Sequence, residues 1–299
     1  MKLTALTTSL LALLTACGNH TAAPPATVAP SDAITRIARE ELRAAMAQWH
    51  AEAGTIVALN LDTGAILAAV GQTVTGDDDT LATQQTWITG STLKTFTHAI
   101  ALDAGAVTPD TMLDCRTRTW GAQQMKDSSD HQTLSVRDAL AVSSNVAASR
   151  IFDKVGLTPW LVGIKRFHFG EAPAVWPTIT DGASYDAAML ASGELGQATP
   201  LQVAAAYAAI FRNGSYLPPV AIGMAAGKPE PTVSAKTAQT IVGLLENVVS
   251  SPIGTGQSAA IAGHRVAGKP VPCHSMRSAC MAASSAASWM GQILWCWLD

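Results

Sequence analysis

Disulfides are what residues 18–269 most plainly lack. From residue 18 to residue 269 the sole cysteine is Cys115. No bridge can staple that span, so its stability must come from a packed core. Charge is also scarce: 14% of residues are Asp, Glu, Lys or Arg, and the formal net charge is -3. With no basic run and no aromatics interleaved with basic residues, nucleic acid is excluded as a partner. The histidines (His20, His50, His98, His131, His168, His264, His274) never pair with cysteine or carboxylate at ligand spacing. No metal and no cofactor are expected on that pattern. No internal repeat is visible.

What is present begins with an address. Lys2 precedes the apolar run "LTALTTSLLALL", too short to span a bilayer as a mature helix, and the run ends in Leu14-Thr15-Ala16-Cys17. This ending resembles the lipobox of bacterial lipoproteins, in which the cysteine carries a diacylglyceryl chain. Residues 1–16 are therefore expected to be a signal peptide and Cys17 the lipidation site. The alternative is an ordinary export signal with a chance cysteine. Residues 17–31, rich in Ala, Pro and Thr, read as a flexible tether. The chain is expected to be exported and membrane-anchored, facing the periplasm or the cell exterior.

The folded part is expected over 32–269. Residues 32–50 place Ile34, Ile37, Ala38, Leu42, Ala45, Met46 and Trp49 on one helical stripe, with Asp32 at the N-cap. Two β-rich runs then flank Asp62-Thr63-Gly64, a hairpin signal. A helix followed by an antiparallel hairpin points to an α+β domain. Asp77–Asp79 read as a solvated loop. In "TGSTLKTFTHAIALDAG", Leu93, Phe96, Ile100, Ala101 and Ala104 predict a buried helix stopped by Gly105. Residues 134–250 read as mainly helical. Trp49, Trp87, Trp120 and Trp160 read as packing residues, and Cys115 as an inert buried thiol.

Ser91 opens the buried helix and Lys94 follows at i+3, so both side chains share one face. A helix N-terminus stabilises developing negative charge, and a desolvated lysine can act as base. Alone this spacing is also what an N-cap and a surface lysine would give. Ser143-Ser144-Asn145 follows downstream, and S-x-x-K with S-x-N makes two thirds of a known catalytic set.

In order along the chain, "DTGAILA", "GSTLKTFTHAIALDAG", "SVRDALAVSSNVAASRI" and "GQATPLQVAAAYAAIFRNGSYLPP" resemble the transpeptidase domain of class B penicillin-binding proteins. These belong to the serine D,D-transpeptidase and β-lactamase-like superfamily. The resemblance covers residues 32–269. It implies an antiparallel sheet flanked by helices, with an all-helical subdomain. It implies that Ser91 attacks the carbonyl of a D-Ala-D-Ala peptide bond in a peptidoglycan stem, or of a β-lactam, forming an acyl-enzyme. Lys94 would take the serine proton, Ser143 would relay a proton to the leaving amine, and Asn145 would bond the substrate amide. Lys269 would open the family's third motif, Lys-Thr-Gly, whose strand completes the oxyanion hole.

Only the lysine of that motif is there. After Lys269 the text runs "PVPCHSMRSACMAASSAASWMGQILWCWLD", rich in Cys and Trp. Lys-Pro-Val-Pro-Cys must be encoded AAR CCN GTN CCN TGY. One base restored before the first CC gives AAR XCC NGT NCC NTG, which can read Lys-Thr-Gly. Leu294–Leu298, shifted likewise, becomes a run of Val, Leu and Ala, a buried-strand pattern. Residues 270–299 are thus expected to be an out-of-frame tail after a single-base deletion. A divergent tail is the alternative. As written, Pro270 has no hydroxyl and Pro272 no backbone N–H to donate. The C-terminal strands and helix are expected to be missing, leaving the Lys269 strand a bare edge.

Two other functions stand beside transpeptidation. A serine β-lactamase of one class would need E-x-x-x-N, but Val175 and Ala198 stand four after Glu171 and Glu194. Another class would need an aliphatic residue where Asn145 stands. A lipid-anchored, non-catalytic penicillin-binding sensor or scaffold is the third reading.

Overall fold

The structure is a computed structural model that describes residues 30–271 and 293–298. The expected signal peptide, Cys17, nearly all of the expected tether, and residues 272–292 lie outside the described residues.

Helix α1 (Pro30–Trp49) starts two residues before the expected cap, so Asp32 sits in its first turn. A carboxylate there complements the helix dipole. Its buried stripe, Ala38, Leu42 and Met46, packs on Ala68 and Val70 of the hairpin. That hairpin is β1 (Ala53–Leu59) and β2 (Ile66–Thr73), antiparallel, with an irregular register between Ala58 and Leu59. Asn60 makes the turn: its Oδ1 accepts the N–H groups of Asp62 and Thr63, and Gly64 takes φ 73°. A short β3 (Gly76–Asp77) extends the sheet in the order β1-β2-β3. At its end Asp77 and Asp79 are solvent-exposed, as a solvated loop would have them, but both are also paired. Asp77 pairs with Arg39 and Arg43, and Asp79 with Arg39. Asp79 also accepts the Gly71 N–H, so the run fastens the hairpin to α1.

After α2 (Thr80–Thr83) and β4 (Trp87–Ile88), a 3₁₀ turn (Gly90–Thr92) leads into α3 (Lys94–Asp103). The helix stops as expected, with Ala104 as C-cap and Gly105 at φ 66°. Four short strands follow: β5 (Met112–Asp114), β6 (Arg118–Trp120), β7 (Gln123–Met125) and β8 (Thr133–Ser135). They pair as β5 with β8 and β6 with β7, so the expected all-helical subdomain carries two small ladders. Helices α4 (Val136–Ala141), α5 (Asn145–Val155), α6 (Leu157–Lys165) and α7 (Tyr185–Ser192) come next. Beyond β9 (Gln197–Ala198) lie α8 (Pro200–Phe211), β10 (Ser215–Tyr216), β11 (Glu230–Pro231) and α9 (Ala235–Ser250). The chain ends in β12 (Arg265–Pro270) and β13 (Ile293–Leu298).

The main core surrounds α3. Phe96 is fully buried and meets Phe167, Phe169 and Tyr207 edge-on, at ring-centroid distances of 4.8, 4.9 and 5.0 Å. Such geometry sets the positive ring edges against the negative faces. Trp160 is buried with its indole N–H on Thr97 Oγ1 at 3.1 Å, which fits a packing role. Cys115 is a buried free thiol whose ionisation burial opposes.

The expectation of a bare edge and wholly missing C-terminal strands is corrected. β13 pairs antiparallel with the whole of β12, Lys269 facing Leu294 and Pro270 facing Ile293. An unpaired edge accepts any extended segment within reach, because the ladder is made by main-chain groups. Ile-Leu-Trp-Cys-Trp-Leu, apolar and aromatic, has the composition of a strand.

Candidate active site

The site is built where α3 begins. β4 pairs with β9, and the Thr89 and Gly90 N–H groups donate to Gly196 and Gly193 carbonyls at 2.9 Å each. Gly193 follows α7 with φ 95°, and a Cβ placed on it would stand 1.8 Å from the Gly90 carbonyl oxygen. Only glycine permits both the left-handed turn and that approach. The 3₁₀ turn is thereby pinned, and it presents Ser91, which is 3% exposed.

Lys94 stands one turn on and is 1% exposed. Its Nζ donates to Ser91 Oγ at 2.6 Å, to the Ser143 carbonyl at 2.9 Å and to Ser143 Oγ at 3.3 Å. Burial pulls its pKa down to about 8, against the nearby negative charges of Glu194 and Asp127, which raise it. An amine so placed is neutral in an appreciable fraction near neutral pH and can accept a proton.

Ser143 reaches the amine through an unusual backbone, with φ 63°. Ser144 caps α5, its Oγ accepting the Ala147 N–H at 2.9 Å. Asp127, which sequence reasoning missed, completes the turn. Its Oδ2 accepts the Ser144 hydroxyl at 2.5 Å, and its Oδ1 accepts the N–H groups of Asn145 and Val146 at 2.7 and 3.1 Å. The only hint in the sequence is an acidic residue upstream of the serine pair. Asn145 Oδ1 is buried with no hydrogen-bond partner among the described residues, whereas a buried acceptor ordinarily has one.

Lys269 arrives on β12 and is fully buried. Its Nζ donates to the Pro270 carbonyl at 3.0 Å. Burial, and then the charge on Lys94, hold this amine well below its ordinary pKa. Ser91, Lys94 and Ser143 are joined directly by hydrogen bonds, and Asn145 and Lys269 stand around them. Beneath lies His98, fully buried, its Nδ1 2.7 Å from the Lys94 carbonyl. A carbonyl only accepts, so Nδ1 carries the proton. Burial pushes the pKa of this imidazole down to about 4, so the ring is neutral.

A buried serine hydroxyl bonded to a lysine of lowered pKa, beside a second serine, is an arrangement suited to acyl transfer and has the spacing of an S-x-x-K motif. A family model described as the penicillin binding protein transpeptidase domain matches residues 54–270, and the chain belongs to this family.

A probable peptidoglycan D,D-transpeptidase PenA of Neisseria flavescens is 30% identical over 257 residues, covering 79% of this chain and 64% of that protein. The peptidoglycan D,D-transpeptidase FtsI of Escherichia coli K12 is 26% identical over 252 residues, 76% of this chain and 42% of the relative. The chain thus spans between two fifths and two thirds of these relatives. Among solved structures, the apo transpeptidase domain of Burkholderia pseudomallei penicillin-binding protein 3 superposes with a TM-score of 0.71. It is 26% identical, and the match covers 85% of this chain and 80% of that one. The α+β fold is that of this family.

Proposed function

We propose that the chain is a penicillin-binding serine D,D-transpeptidase acting on D-Ala-D-Ala stem peptides of peptidoglycan. In this reading Ser91 Oγ attacks the penultimate carbonyl while its proton passes to Lys94 Nζ. The carbonyl oxygen becomes an oxyanion. Collapse of that intermediate breaks the amide bond, and D-alanine leaves with a proton relayed through Ser143. An acceptor amine then takes the acyl group from Ser91. Asn145 bonds the substrate amide, and Lys269 steers its carboxylate. The observation that carries this reading is the 2.6 Å bond from Lys94 to Ser91, with Ser143 on the same amine.

The tail sets the level of activity. Pro270 and Val271 stand where the family's threonine and glycine belong, and Pro272 cannot donate the N–H that should complete the oxyanion hole. Losing one such donor costs roughly 10²–10³ in turnover. The chain as written is accordingly an impaired member, and the codon reading assigns the change to one lost base after Lys269. Export on residues 1–16 and lipidation at Cys17 would hold the domain at the membrane surface, where peptidoglycan is met.

Labelling with a fluorescent penicillin tests this. The chain with Lys-Thr-Gly restored should label, the chain as written should label far more slowly, and Ser91→Ala should abolish both. Equal labelling of Ser91→Ala would overturn the assignment. A labelled serine that never passes its acyl group to a stem-peptide amine would favour a penicillin-binding sensor. Many turnovers of penicillin hydrolysis would favour a β-lactamase. Nucleotides read through codons 268–299 and past the stop decide the frameshift.

A further inference from the structure

Asp127 has no role in the chemistry described above, yet its carboxylate accepts three hydrogen bonds beside the site. It lies beyond β7, in the loop before β8, and reaches seventeen to nineteen residues along the chain to the start of α5. Three donors converge on its two oxygens: the Ser144 hydroxyl and the Asn145 and Val146 N–H groups. A side chain would ordinarily need one such bond to cap a helix.

The turn it holds is the one that touches Lys94. Ser143, in the left-handed region at φ 63°, offers both its carbonyl and its hydroxyl to that amine. For a residue other than glycine this backbone is costly, and it persists only where surrounding bonds impose it. Asp127 fixes Ser144 and Asn145 immediately beyond.

Charge makes the second half of the argument. The groups facing the Lys94 amine are Ser91 on the 3₁₀ turn, Ser143 between α4 and α5, Glu194 after α7, Asp127 before β8, and Lys269 on β12. His98, on Lys94's own helix, is neutral. Two carboxylates thus oppose burial. In a site of low dielectric the ammonium formed when Lys94 takes the serine proton needs such a counter-charge.

We propose that Asp127 is a positioning residue for the site: its carboxylate holds the Ser143–Asn145 turn against Lys94 and supplies negative charge that the Lys94 ammonium faces. The role rests on the reading of Lys94 as the proton acceptor for Ser91. It predicts that Asp127 governs the proton affinity of an amine it does not touch.

The test is a titration of the full chain carrying [13Cε]lysine, followed by NMR. The Lys94 resonance is assigned by its loss in Lys94→Arg. Asp127→Asn keeps an acceptor oxygen for the backbone N–H groups and removes the charge. The Lys94 midpoint should fall from its value near 8 by roughly half a unit to one unit. Ser144→Ala, which deletes a bond to Asp127 but leaves the charge, should leave the midpoint in place while lowering the melting temperature. An Asp127→Asn protein that melts earlier with an unmoved midpoint would show a helix cap only and overturn the proposal. So would an equal fall in Ser144→Ala. If Asp127→Asn does not fold, Asp127→Ser, which also removes the charge, replaces it and is read in the same way, a fallen midpoint supporting the proposal and an unmoved one opposing it. The titration requires no acylation, so loss of penicillin labelling would sink the transpeptidase reading and leave this result standing.

Discussion

Val271 stands over Gly90: its Cγ1 lies 2.5 Å from the point a Cβ on residue 90 would occupy. Gly90 adjoins Ser91, so the first residues of the tail pack against the residue that precedes the serine. A branched side chain thus stands beside the 3₁₀ turn that carries Ser91.

Removing that side chain should open the site. Val271→Gly is expected to raise the rate of labelling by a fluorescent penicillin about tenfold, corresponding to roughly 1.4 kcal/mol off the barrier. Adding Pro270→Thr should raise it further, by restoring a hydroxyl beside Lys269. Stopped-flow or gel-based labelling rates measure both, and a rate unchanged in Val271→Gly would show that Val271 is no obstacle.

Gly193 should tolerate nothing larger. Gly193→Ala sets a Cβ 1.8 Å from the Gly90 carbonyl oxygen on a backbone at φ 95°. The expected loss of stability is about 3 kcal/mol, from steric overlap and left-handed strain together. Denaturant unfolding measures it, and labelling of the surviving folded fraction should also slow, because Gly90 leads directly into Ser91.

Lys94→Met should abolish labelling without lowering stability, since an apolar chain of like length replaces a fully buried amine. The pH dependence gives a sharper check. Folding lowers the Lys94 pKa from 10.5 to about 8, mainly by burial. Between those values the unfolded chain binds more protons than the folded one, so stability rises with pH through that window. Below it the full penalty of the buried ammonium remains. Lys269 contributes in the same direction, so the quantity to follow is the difference between wild type and Lys94→Met in melting temperature against pH. That difference should narrow as pH climbs from 8 toward 10.5. Labelling should rise with pH through a midpoint near 8, as the free amine forms.

Thr199→Ala probes a purely structural device. Thr199 Oγ1 accepts the Gln202 N–H at 3.1 Å, and Gln202 Oε1 accepts the Thr199 N–H at 2.9 Å, a complete capping box at the start of α8. Its loss should cost about 1 kcal/mol in denaturant unfolding. Labelling of the folded protein should be unaffected.

Local chemistry was enough for much of this. The stripe of α1, apart from Ile37, which is half exposed, and the Asn60–Ala65 turn follow from side chains a few residues apart, as do the stop at Gly105 and the i+3 placement of Lys94 on Ser91. A short range of chain restricts each to few conformations, so composition and spacing determine them. The lysine left alone before Pro270 is legible in the same way, because a missing hydroxyl and a missing N–H are properties of single residues.

Whatever depended on distant segments meeting was decided by the tertiary structure alone. Asp127 gains its place only because the loop before β8 folds back on α5. Asp77 and Asp79 become ion-pair partners because the hairpin lies on α1. β13 pairs with β12 because an open ladder accepts any extended segment, whatever codons made it. The lowered pKa of Lys94, too, is not a property of lysine or of S-x-x-K. It arises from burial against the core, opposed by charges brought in from two other loops, and no spacing within the motif encodes either.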